Sequence, residues 1–218
     1  MSLQLLKQFE KANDGIATLV ERDLLAFLAS LDPARPDAVK ADLFEFVPVL
    51  IAQYGDIAAT VAADWFDELR ADEGVSGRFR APLAPLVPDE QVNARLGYAT
   101  RANGPLYSGA FDTLAAFTAM MANEYALQPG RDTVIQAAHK DRAAYARVPE
   151  RGACKFCLML ASRGFVYSKD TVGDSKKFHG KCRCNAMPVW DETRARVEYG
   201  YDPDALYDQY RALRDAAP

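Results

Sequence analysis

The chain has 218 residues, half of them apolar by count, with four cysteines, two histidines and a formal charge of -4. That apolar share excludes a wholly disordered chain and supplies a sizeable core for one large domain or two small ones. No run reaches the roughly 18 apolar residues of a membrane span, and the N-terminus has neither a basic n-region nor an apolar h-region, so the expectation is a protein kept in a cytoplasm, at least initially, with reduced thiols.

Residues 3–31 place Leu5, Leu6, Phe9, Ile16, Leu19, Val20, Leu24, Phe27, Leu28 and Leu31 at helical spacing, interrupted only near Asn13-Asp14-Gly15. The spacing predicts a helix kinked there, or two joined helices, ended by Pro33 and Pro36, with Pro36 placed to open the next. Residues 37–72 repeat the amphipathic pattern; Pro48 is expected to bend this long helix and Gly55 to loosen it. From Gly74 to Pro88 the text changes to Ser-Gly-Arg and three prolines, which predicts an extended connector running across a neighbouring surface.

Helices are expected again at about 89–102, 108–127 and 130–143, the last starting just after Pro129-Gly130. None carries a recognisable catalytic pattern. His139, between Ala138 and Lys140, reads as a solvated surface histidine, while Trp65 and the Met120-Met121 pair fall at helical spacing and read as core.

After residue 143 the texture shifts. Ala144–Val148 alternates weakly as a short strand would, Cys157–Ala161 reads as helix, and Phe165-Val166-Tyr167 and Ala186–Trp190 read as strands. Residues 191–202 read as an acidic linker and 203–214 as a terminal helix opened by Asp202-Pro203. The expected fold class is therefore mainly α, with long kinked N-terminal helices and a small C-terminal α+β unit stapled by zinc. The expected organisation is a helical domain over 1–143 with its connector at 74–88, the Cys/His unit over 144–190, and the linker and helix over 191–218.

The chemistry concentrates in that second unit, which holds all four cysteines and one of the two histidines: Cys154-x2-Cys157, 21 residues, then His179-x2-Cys182-x-Cys184. A C-x2-C turn returns its second thiolate to the same point in space, so the first cluster is half of a tetrahedral zinc site and the second offers the other half with one donor to spare. Cys154, Cys157, His179 and one of Cys182 or Cys184 are the expected ligands of one structural zinc ion, and the spacing does not choose between the last two. Residues 140–190 carry 11 basic and 4 acidic side chains, and Lys155, Lys176, Lys177, Lys181 and Arg183 would offset the thiolate charge. The same excess can hold phosphate.

Two other readings of the cluster have less support. A redox pair at Cys154 and Cys157 lacks a preceding βαβ context, and a catalytic metal lacks both an H-E-x-x-H pattern and a glutamate beside His179. A zinc-dependent nuclease or hydrolase acting on nucleic acid, with the spare ligand position open to water, is the alternative function. No catalytic residue is assigned, and the chain is not expected to be an enzyme.

With Arg147, Arg151, the C-x2-C, the later His179-Gly180-Lys181-Cys182-Arg183-Cys184 and Pro188-Val189-Trp190 in view, residues 145–190 resemble the Mu F-type minor capsid, or head morphogenesis, proteins of tailed bacteriophages. Those proteins typically show a C-x2-C followed by H-P-x-C-R-C; Gly180 stands here where proline is usual, a departure that touches no ligand. The resemblance implies a low-copy structural protein of the virion, in the phage head and, during assembly, in the host cytoplasm. Its implied partners are the portal and major capsid proteins and, through Lys176, Lys177, Lys181 and Arg183, packaged DNA. No membrane partner is implied.

Overall fold

The computed structural model describes residues 2–150, 152–165, 178 and 184–216. Its first helix, α1 (Ser2–Ala29), runs without a break through Asn13-Asp14-Gly15. The gap in the apolar stripe has a tertiary cause: the Asn13 side chain is buried and its Nδ2 donates to Asn185 Oδ1 at 2.9 Å, 172 residues away. A polar residue on the buried face breaks the pattern without breaking the helix.

Helix α2 (Pro36–Asp72) starts with proline in its first turn, where no intrahelical N–H is needed, and continues through Pro48. By length and composition it is apolar enough to cross a membrane, which the count of uninterrupted apolar residues misses; here it is the core helix, with more than half of that apolar window buried inside the protein. Helix α3 (Asp89–Ala99) follows the connector, and α4 (Phe111–Lys140) packs along α2 and α1.

Sequence spacing separates helices at 108–127 and 130–143, but the structure joins them into one helix through Pro129-Gly130. The reason lies in α2. A Cβ on Gly130 would come within 2.8 Å of the Ala58 carbonyl oxygen, and one on Gly55 within 3.2 Å of Pro129 Cγ. The dipeptide that reads as a helix start is a point of close approach between the two longest helices.

The connector lies on its own molecule. The buried Arg70 guanidinium donates to the carbonyls of Val75, Ser76 and Gly77, at 3.1, 2.7 and 3.0 Å, and pairs with Asp141 at 2.8 Å. Further along, the Ala81 N–H donates to Asp67 Oδ1 at 3.0 Å and the Ala84 N–H to Thr133 Oγ1 at 2.9 Å.

Past α4, β1 (Ala144–Val148) pairs antiparallel with β2 (Asn185–Val189), with Ala144 opposite Val189 and Val148 opposite Asn185. Among the described residues the sheet has two strands, so β2 is an edge strand, where Pro188 is tolerated. Between them in sequence lies α5 (Lys155–Ala161), and after β2 come α6 (Glu192–Glu198) and α7 (Pro203–Asp215). The 191–202 stretch that reads as a linker thus contains a helix. Asp191 caps it, accepting from the Thr193 and Arg194 N–H groups, and Arg194 pairs with Glu198 at 2.7 Å and reaches the buried Glu73 at the end of α2 at 3.1 Å. Asp202 caps α7 in the same way, as the Asp202-Pro203 signal predicts. Of the expected strand at 165–167, Phe165 lies in a bend and the other two residues fall outside the described ones.

Among the described residues, buried apolar side chains form two clusters. One, at the α1–α2 loop end, joins Val20, Leu24, Leu43 and Ile51 to Leu96 and Leu114. The other unites Phe9, Trp65, Phe66 and Val134 of the long helices with Tyr145, Cys157, Cys184, Met187 and Tyr201. His139 is exposed and Trp65 is buried, stacked on Phe9 with ring centroids 4.2 Å apart.

Candidate metal centre

Three of the five candidate donors are among the described residues, and they lie near one another. Cys154 is exposed in an extended backbone and forms the N-cap of α5, its carbonyl accepting from the Leu158 N–H at 3.0 Å. Cys157 lies one turn inside α5 and is 1% exposed. Gly152, with φ of +77°, turns the chain from β1 into this helix. The C-x2-C therefore sits on a loop-to-helix junction with one sulfur outward and one inward.

Cys184 is fully buried immediately before β2, in the same cluster as Cys157. The antiparallel β1–β2 pairing causes this convergence. Val148 and Asn185 face each other at the sheet end, so the chain leaving β1 toward Cys154 and the chain entering β2 from Cys184 meet there. His179 and Cys182 lie outside the described residues, as do Lys176, Lys177, Lys181 and Arg183. Among the described residues no three His, Cys, Asp or Glu side chains form a metal-holding group. The described part holds two buried thiols in one core cluster and a third, exposed thiol on the cap of the adjoining helix.

Two arginines that spacing alone does not single out as site residues define the wall of this corner. Arg131 of α4 and Arg147 of β1 are each 4% exposed. Arg131 Nε donates to the Cys184 carbonyl at 3.2 Å, fixing the backbone at the start of β2. Both guanidiniums lie over the ring of Phe178, at 4.5 Å for Arg131 and 3.7 Å for Arg147, and Phe178 is 3% exposed. The residue before His179 is thereby anchored between the long helix and the sheet.

These two buried cations answer the charge question differently from the surface lysines. Of the residues expected to offset the thiolates, Lys155 is the described one, and it is exposed on the first turn of α5. Arg131 and Arg147 place positive charge within the protein, where the low dielectric makes it count for more. A signal for Arg131 exists in the sequence. It stands at helical spacing with Leu127, Val134 and Ala138, all buried, so a charged residue occupies the core face of α4.

The corner is braced from the C-terminal side. The Tyr201 hydroxyl donates to the Ala161 carbonyl at the end of α5, and Phe165 packs on Tyr201 with ring centroids 5.2 Å apart. Nearby, Trp190 Nε1 donates to Asp141 Oδ2 at 2.8 Å, so one carboxylate links α4, Arg70 of α2 and the end of β2.

The fold and this corner define a class: a long-helical protein carrying a small, cysteine-bearing α+β unit. A family model described as VG15 protein matches residues 1–213, and the chain belongs to that family. Comparison with curated proteins and with solved structures gives no match.

Proposed function

We propose that the chain is a structural minor capsid, or head morphogenesis, protein of a tailed phage, acting in head assembly or DNA packaging near the portal, with one structural zinc ion in its C-terminal unit. The observation that carries this reading is the convergence of Cys157 and Cys184 in one buried cluster although 27 positions separate them. The resemblance rests on a C-x2-C and a later H-x2-C-x-C acting together, and it requires their cysteines to meet.

Zinc supplies cross-linking here, and the chain's own residues do the rest. Cys154, Cys157, His179 and one of Cys182 or Cys184 would be the four donors; the buried Arg131 and Arg147 would balance their charge, and both lie over Phe178, the residue before His179. The role is a staple joining short elements that bury little by themselves. The long helices and the strapped connector serve as the rigid frame that presents this unit to the portal, the major capsid protein or DNA.

Mass spectrometry of purified virions, washed free of loosely bound protein, is the test of place: the chain is expected at low copy, and its absence overturns the reading. Elemental analysis of the reduced, chelator-free protein tests the staple independently, with about one zinc per chain expected and a ratio near zero against it.

A further inference from the structure

The connector has a period of three. Residues 81–88 read Ala-Pro-Leu-Ala-Pro-Leu-Val-Pro, so Ala81, Ala84 and Val87 recur every third position, as do the prolines, as do Leu83 and Leu86. Three residues per turn is the polyproline II repeat, and Pro88, at φ −63° and ψ 142°, has that backbone. Burial follows the same register: Ala84 and Val87 face the protein, whereas Leu83 is 52% and Leu86 39% exposed, and Pro85 and Pro88 are exposed beside them. One edge is seated on the host and Leu86 also rests one methyl against α2, its Cδ2 lying 3.4 Å from where a Cβ on Gly55 would stand; the remaining surface of the Pro and Leu edges forms an outward ridge.

A preformed polyproline II ridge is recognised by a surface of aromatic rings, because stiff prolines lose little entropy on docking. The same chain carries such a surface. Tyr98 at the end of α3 is 60% exposed, with the half-buried Phe117 of α4 6.0 Å away and Arg101 stacked 3.8 Å over its ring. The ridge cannot reach its own ledge. Arg70, Asp67 and Thr133 pin the connector, and α3 leads away from Pro88 for about 15 Å before Tyr98. Charge matches as well: the ridge ends in exposed Asp89 and Glu90, the ledge bears Arg101, and none of these three forms an ion pair among the described residues.

We propose that the proline–leucine ridge of one copy docks on the Tyr98–Phe117 ledge of a second copy of this chain, with Asp89 and Glu90 facing Arg101. The contact joins two different surfaces of the protein. It owes nothing to the cysteine unit, so it stands or falls separately from the proposed function.

Sedimentation velocity of the full-length protein over a wide concentration range tests it. Wild type is expected to self-associate, more weakly at high salt. The ridge variant Leu83→Glu/Leu86→Glu and the ledge variant Tyr98→Ala are each expected to weaken association at least about tenfold, since each removes one to two buried apolar anchors. An equimolar mixture of the two variants is expected to associate again, because one partner keeps an intact ledge and the other an intact ridge. Circular dichroism checks folding, and Leu83→Ser/Leu86→Ser replaces the glutamate pair if that pair unfolds. A wild type that stays monomeric throughout, variants that associate as wild type does, or a mixture that stays monomeric overturns the proposal.

Discussion

The two buried clusters are made by different means. At the α1–α2 loop end, Leu24, Leu43, Ile51, Leu96 and Leu114 meet as apolar stripes of long helices, and the side chains there supply packing and little else. Around the cysteines, the elements are two five-residue strands and helices of seven residues, held to the frame by polar contacts that cross the chain. Asn13 to Asn185, Arg131 to Cys184, and Arg70 through Asp141 to Trp190 are the main ones. Short elements bury too little surface to hold themselves, so their geometry depends on a few directional bonds and, in the proposed reading, on a metal. Where bonds fix the geometry, a functional site can be positioned; where stripes fix it, a scaffold results.

The largest effect that would separate the two regions is removal of the proposed zinc ion. A structural zinc site contributes on the order of 10 kcal/mol to the unit it holds. Chelation under reducing conditions is expected to raise amide hydrogen exchange sharply over β1, α5 and β2 and leave the α2 segment around Leu43 and Ile51 protected. Equal loss across both regions, or no change in either, would break the comparison.

Next in size is Asp141→Ala. It leaves the buried Arg70 guanidinium without its carboxylate and Trp190 Nε1 without its acceptor, with the side chains of Arg70 and Asp141 only 10% and 9% exposed. Breaking a buried pair by removing one partner costs about 3–5 kcal/mol. Denaturant unfolding should report that loss, and limited proteolysis should show the connector near Val75–Gly77 cut first, because Arg70 holds those carbonyls.

Gly130→Ala probes the frame at its tightest point. In an open helix interior the change would stabilise by about 1 kcal/mol through propensity. Here the new Cβ meets the Ala58 carbonyl at 2.8 Å, a backbone atom that cannot swing aside, so a net loss of about 1–3 kcal/mol is expected. An unfolding midpoint that rises would show that α2 and α4 separate more easily than their contact indicates.

The same contrast explains what was legible in the sequence. Periodicity located α1, α2 and α7, the two strands and the extended connector, because each of those signals is local. It divided α4 at Pro129-Gly130, since a close helix crossing and a helix start use the same dipeptide. It read 191–202 as a linker because α6 is seven residues long and depends on Glu73, 121 positions before Arg194. The cysteine spacing was visible for a local reason too, a two-residue return. The contacts of Arg131 and Arg147 with Phe178 and the Asn13–Asn185 bond were not, because their partners are set by tertiary contacts.

The smallest expected effect lies at the frame's edge, where one polar bond joins two long helices. The Tyr54 hydroxyl donates to Asp23 Oδ2 at 2.5 Å. That bond, with Arg22 beside it, holds the Asp23 carboxyl below the ordinary aspartate range, and the same partner raises the Tyr54 phenol above the ordinary tyrosine range. A depressed carboxyl contributes stability that is present above its unfolded pKa and lost as pH falls through the folded one. A raised phenol contributes stability that is present below its unfolded pKa and lost as pH rises through the folded one. The pair therefore supports the fold between the aspartate and tyrosine ranges and fades on both sides. Tyr54→Phe is expected to lower stability modestly within that window and to flatten the pH dependence at both ends, read from urea midpoints across pH. If midpoints drop equally at all pH values, Tyr54 acts through packing alone, and the α1–α2 contact is stripe without bond, like the core beside it.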